Sequence, residues 1–172
     1  MMEEEEESAP VFFIDFEAFR QDGEFRIKEL CVIEINQPGD PLYYAFRLDQ
    51  DEWQALTIEE QKTNMYASRH LHRLHWLEGV SRYCKTCVMY HLARKFPRWN
   101  EGMFYVLDSV CGPKIKFLKK EFPHLRLANY NGLTFKTLPE PPLNIACPFR
   151  EHGIHCAFRK CHQLLTHFTS SF

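Results

Sequence analysis

Val11-Phe-Phe-Ile-Asp15-Phe-Glu17 is the stretch whose reading decides the fold. Val11 to Asp15 is a short apolar run rich in β-formers, the pattern of a strand buried on both faces. It ends on two carboxylates two residues apart. Side chains at i and i+2 of a strand share a face, so Asp15 and Glu17 can converge at an exposed strand end. Converging carboxylates suit Mg²⁺ or Mn²⁺, hard cations that want oxygen ligands. A solvated strand end is the plainer reading of the same pattern.

Outward from this strand, alternation predicts a second strand over Arg26 to Ile35. The turn signal Gln37-Pro-Gly-Asp40 leads to a third over Leu42 to Phe46. The three form an antiparallel meander. Thr57-Ile-Glu-Glu60 has capping-box spacing and opens a short helix. Residues Arg69 to Gly79 read as a loop with local turns. From Val80, apolar residues at 80, 84, 87, 88 and 92 have helical spacing, so Cys84 and Cys87 fall on an apolar face, ending at Pro97. Met103 to Leu107 is a fourth strand, ending at Asp108. Gly112-Pro113 opens a helix with Ile115, Phe117 and Leu118 inward. Leu125 to Leu127 is a fifth strand, Pro139 to Pro142 a kink, and Cys156 to Phe168 a closing helix. The layout is α/β with a mixed five-stranded sheet flanked by helices.

The chain has 172 residues, 45% hydrophobic and 15% aromatic, with 15 Phe, enough for a substantial core. Residues 1–10 read as a disordered acidic tail, because Glu3 to Glu7 repel one another. The rest, 11–172, reads as one domain. Removing the five tail carboxylates leaves 21 positive against 18 negative groups, a mildly basic body. Seven Cys, no basic-then-apolar leader and no apolar run of membrane length predict reduced thiols in an intracellular protein, cytoplasmic or nuclear.

The C-terminal stretch Cys147-Pro-Phe-Arg-Glu-His152-Gly-Ile-His155-Cys156-Ala-Phe-Arg-Lys-Cys161-His162 packs six soft or borderline ligands into sixteen residues. By spacing, Cys147, His152, His162 and His167 approximate a CHHC finger. Core packing of Cys156 and Cys161 is the plainer alternative to a metal role. Cys84-Lys-Thr-Cys87 is core, redox-active or metal-binding. Lys114, Lys116, Lys119 and Lys120, with Arg94, Lys95 and Arg98, form either a solvated face or a surface that tracks phosphates.

An early Phe-Ile-Asp-Phe-Glu paired with a late His155-Cys-Ala resembles the DEDDh 3′–5′ exonucleases, which have a ribonuclease H-like fold. The resemblance spans nearly the whole chain, and His70 to Gly79 resembles the loop that follows the third strand there. It implies Asp15, Glu17, Asp108 and His155 as catalytic groups, His155 acting as general base. Lys160 stands where that family's last Asp would be. The chain is also similar to the Maelstrom domain, a relative of that fold without the carboxylate set and with a Glu, Cys, His, Cys zinc site. That resemblance implies Glu29, Cys147, His152 and Cys156 as ligands of a structural Zn²⁺. It further implies binding to single-stranded RNA, a place in small-RNA or transposon silencing, and a weak ribonuclease activity independent of the carboxylates. An active metal-dependent exonuclease and a zinc-stapled protein-interaction module are the competing expectations.

Overall fold

Asp22 and Gly23 both take left-handed backbone, with φ of 53° and 76°. This is the conformation of a two-residue hairpin turn whose twist suits paired strands. It joins β1 (Val11–Gln21) to β2 (Glu24–Glu34) antiparallel, with Gln21 opposite Glu24. Both strands run 11 residues. The first exceeds its apolar run because hairpin pairing carries the backbone through Glu17 to Gln21. The computed structural model describes residues 7–109, 112–130, 138–140 and 145–170. The acidic run up to residue 6 and part of the expected Pro139 to Pro142 kink lie outside them. Glu7 meets Arg98 at 3.3 Å, and buried Pro10 accepts a hydrogen bond from Met103 N–H.

β3 (Leu42–Ala45) pairs antiparallel with β2, while β4 (Met103–Val106) runs parallel to β1 and β5 (Leu127–Asn129) parallel to β4. The sheet order is β3-β2-β1-β4-β5. This is the mixed five-stranded α/β sheet expected. β5 begins two residues later than the sequence predicts. Leu125 is buried in the core, and Leu127 is the residue that meets Phe104 in register.

The helices are α1 (Gln50–Gln54), α2 (Ile58–His70), α3 (Lys85–Lys95), α4 (Pro113–Glu121) and α5 (Ala157–Ser170). Thr57 caps α2 through the full capping box with Glu60, and the helix, expected to be short, runs 13 residues. Phe12, Ile14 and Phe16 face α3 and α4 through Val88, Leu92, Phe96, Leu118 and Phe122. Phe13, Cys31 and Ile33 face α5 through Phe158, Cys161 and Leu164. Four phenylalanines of β1, at 12, 13, 16 and 19, are at most 1% exposed. Each contributes about 1.5–3 kcal/mol by burial.

The helix predicted from Val80 starts later. Val80 N–H donates to Ala45 and Arg47 N–H to Ser81, drawing residues 80–81 against the end of β3. Val80 is therefore exposed, and Cys84 becomes the N-cap of α3. The inward face starts at Val88 and Leu92. Cys84 and Cys87 are both exposed, so the expectation that they pack in the core is corrected.

Gly79 ends the loop that leads into this strap. Its φ is 149°, and a Cβ there would lie 2.4 Å from Arg47 N and Phe46 C. Gly79→Ala should therefore destabilise by about 3 kcal/mol or more. Gly39→Ala, at a site with nothing within 4 Å, should change stability by less than about 0.5 kcal/mol. Urea unfolding of the two variants side by side checks the contrast.

Candidate metal centre

Strand pairing sets Glu17 of β1 opposite Glu29 of β2, and Asp15 opposite Cys31. All four point toward α5, because Phe13 and Ile33 of the same register do so. Two carboxylate sites thus lie side by side under one helix. Each is neutralised differently.

Glu29 is fully buried and gathers the first site. Its Oε2 lies 2.6 Å from His152 Nε2, 3.9 Å from Cys147 Sγ and 3.8 Å from Cys156 Sγ. Cys147 Sγ is 3.5 Å from His152 Nε2. One donor atom from each of the four residues lies within 4.8 Å of every other. Among the described residues this is the one group of Cys, His and carboxylate side chains so gathered. Bond lengths of about 2.0–2.3 Å around tetrahedral zinc put ligand atoms roughly 3.3–3.8 Å apart. The sulfur contacts fit that spacing, and the Glu29–His152 contact has to open slightly. The donor set, two thiols, an imidazole and a carboxylate, is one that zinc takes.

The surrounding atoms orient these donors. His152 Nδ1 lies 2.6 Å from the His72 carbonyl, so it donates there and leaves Nε2 to the cluster. Tyr43 O–H donates to Glu29, and its oxygen lies 3.1 Å from Cys147 Sγ. Ala157 N–H, at the first residue of α5, donates to Glu29 Oε1 at 2.5 Å. The carboxylate therefore also faces the positive end of that helix. The loop bearing His72 is itself tied down. Buried Lys28 donates to the carbonyls of Phe46, Trp76 and Glu78. Arg150 grips the Glu78 carboxylate through two nitrogens and donates to the Arg73 carbonyl.

Protonation in this cluster is divided. The hydrogen bond from Cys156 outweighs burial and, with the one from His152, brings the Cys147 thiol down to about 3. Donation to Cys147 and burial push Cys156 up. Burial works against charge on His152, yet Cys147 and Glu29 lift it to about 10. Burial raises the Glu29 carboxyl. These shifts favour charge on Cys147 and His152 and keep the proton on Cys156. A zinc ion here would displace the protons of His152 Nε2 and Cys156.

The alternative CHHC set does not assemble. His162 is buried against the Phe158 ring at 4.4 Å, and His167 meets Tyr130 Oη at 2.9 Å. On α5 they follow the hydrophobic core, away from Cys147 and His152. Cys161 is buried and points to the Cys31 carbonyl.

The second site holds the residues expected for nuclease chemistry. Lys160 lies one helical turn beyond Cys156 and places its ammonium on both Asp15, at 3.0 Å, and Glu17. Lys114 approaches from α4, 2.7 Å from Asp15 Oδ1 and 3.8 Å from Glu17, and also donates to the Phe16 carbonyl. Burial alone would raise Glu17, but Lys160 and Lys114 hold its carboxyl below the usual range. Burial opposes charge on Lys160, but the two carboxylates more than compensate and push its pKa up. His155 lies beside the pair; burial lowers its pKa, partly offset by Glu17 and Asp15. Asp108 is turned elsewhere. Its two oxygens accept from Ser109 N–H at 2.8 Å and Ile115 N–H at 3.0 Å, capping α4. Asp15, Glu17, Asp108 and His155 do not gather as metal ligands among the described residues.

The basic group is divided in the same way. Lys114 belongs to the buried ion cluster rather than to an outer face. Lys120 pairs with Glu24, Lys95 with Asp40, and Arg98 with Glu101. Lys116 and Lys119 are exposed. Sequence reasoning missed Tyr43, Lys28 and Lys114 as parts of these sites. Their signal is tertiary, since strand register and helix placement alone bring them there. No protein-family model matches the chain, and no match is found among curated proteins.

Lys160→Met should leave two buried carboxylates sharing one partly exposed lysine. A loss of about 3–5 kcal/mol in unfolding free energy is expected. Lys114→Met should cost less, because Lys160 still bridges both carboxylates. Equal losses in urea titrations would contradict this ranking.

Proposed function

We propose that this chain is a zinc-stabilised, Maelstrom-like domain of ribonuclease H-like type that binds single-stranded RNA and lacks the metal-dependent chemistry of DEDDh exonucleases. The observation that carries the reading is the convergence of Glu29, Cys147, His152 and Cys156 on one buried point. These are the four positions implied by the Maelstrom resemblance, drawn from a strand, a loop and a helix start. The sheet order, with an antiparallel trio followed by two parallel strands, agrees with a ribonuclease H-like arrangement. A four-ligand shell with no open position favours a structural ion over a catalytic one.

The carboxylate site supports the loss of exonuclease chemistry. Two cations activating water and stabilising a leaving oxygen need several free carboxylates. Here two ammonium groups occupy the ground between Asp15 and Glu17. An RNA-binding role, and with it a place in small-RNA or transposon silencing, rests on the resemblance and on the exposed Lys116 and Lys119.

The purified chain is expected to carry about one equivalent of zinc, and Cys147→Ser to lose most of it together with thermal stability. Less than about half an equivalent in the wild type would sink the metal assignment. For RNA, affinity for a labelled single strand should fall with salt, by a slope of about 0.7 for each phosphate neutralised. Replacing Lys116 and Lys119 together by Ala should reduce that slope by about 1.4. Zinc without salt-dependent RNA binding would leave a zinc-stapled interaction module.

A further inference from the structure

Cys84-Lys-Thr-Cys87 has no part in either site above. Cys84 is the N-cap of α3, an 11-residue helix, and its Sγ accepts the Cys87 N–H at 3.3 Å. Of the described cysteines, these two alone are exposed; Cys31, Cys156 and Cys161 are buried and Cys147 is half-buried. No third His, Cys or carboxylate joins them as a metal-ligand group among the described residues. Residues one helical turn apart have Cα atoms about 5 Å apart, inside the span of roughly 4.4–6.8 Å that a disulfide bridges.

We propose that Cys84 and Cys87 form a redox-active dithiol that reduces low-molecular-weight disulfides of the glutathione type and closes to an intrachain disulfide. Cys84 is the attacking group. As a thiolate it accepts N–H bonds at the positive end of α3, the environment that makes a cysteine reactive. The hydrogen bond from the Cys87 thiol comes first in lowering its pKa, joined by the backbone N–H groups of Cys87 and Thr86. The same hydrogen bond raises Cys87, which suits the resolving role.

The steps balance. Cys84 Sγ⁻ attacks one sulfur of R–S–S–R, forming Cys84–S–S–R and releasing RS⁻, which takes up a proton. Cys87 then loses its proton and attacks Cys84 Sγ, expelling the second RS⁻. The net change is two protein thiols and one disulfide converted to one protein disulfide and two RSH. Two electrons pass from the pair to the small molecule. An excess of RSH reverses the sequence.

The test equilibrates the full chain, with its zinc, in buffers of varied oxidised-to-reduced glutathione ratio. Free thiols are then alkylated and the peptides mapped. The expected result is a Cys84–Cys87 disulfide, with the loss of two hydrogens, that forms and disappears reversibly with the ratio. Cys87→Ser should trap the glutathione adduct on Cys84. Cys84→Ser keeps a good N-cap, so the helix stays intact. In it, glutathione incorporation at Cys87 should be at least about tenfold slower than at Cys84 of Cys87→Ser. Three results would overturn the proposal: both thiols staying alkylatable in fully oxidised buffer, two glutathione adducts accumulating without ring closure, or the Cys84→Ser/Cys87→Ser double variant losing a bound equivalent of zinc.

Discussion

A carboxylate with no access to water has to be matched by donors, and Glu29 is matched from three directions. The N-terminus of α5, the ring of His152 and the phenol of Tyr43 meet it, with the Cys147 and Cys156 sulfurs alongside. Those partners come from β3, the loop before α5, and α5 itself. Burial of one side chain on a central strand thus dictates where the last helix begins and how the loop ahead of it is folded. His152 in turn reaches the His72 carbonyl, which links the cluster to the loop held by Lys28 and Arg150.

The neighbouring carboxylates solve the same problem with ammonium groups. Asp15 and Glu17 lie next to Glu29 in the strand register and beneath the same helix. Lys160 stands one turn along α5 from Cys156, so a single helix face supplies both a sulfur to the first site and a counter-ion to the second. Lys114 closes the second site from the opposite layer. Its reach across to Asp15 ties α4 to the strand end, a task that Asp108 shares by capping the same helix. Positive charge needed to fold this region is thus covalently built in. The two sites together bind α5 to the sheet by polar contacts, beyond what Phe158, Cys161 and Leu164 contribute by burial.

Local patterning made much of this legible. The apolar run at Val11, the Pro-Gly turn before Leu42, the capping box at Thr57 and the Pro113 helix start each reappear at nearly the expected place, because each depends on neighbours in sequence. The misplacements share a cause. The helix expected from Val80 yields to a strap against β3, since backbone pairing with Ala45 and Arg47 outweighs a weak helical periodicity. That shift moves Cys84 and Cys87 from a supposed core face to the surface. His162 and His167 look like ligands by count, but the face of α5 sends one into the core and the other to Tyr130.

By itself, the sequence determined the α/β order of elements, the mixed sheet, the convergence of Asp15 and Glu17 on one face, and the density of Cys and His ligands from Cys147 to His162. These follow from periodicity, turn chemistry and ligand type, all of which act over short spans of chain. Only the tertiary structure decided that Tyr43 and the α5 N-terminus complete the surroundings of Glu29. It also decided that Lys114 leaves the basic surface to neutralise Asp15. Strand register and the packing of helices on opposite layers control those contacts, between residues as far apart as Asp15 and Lys114, and no local pattern encodes that distance.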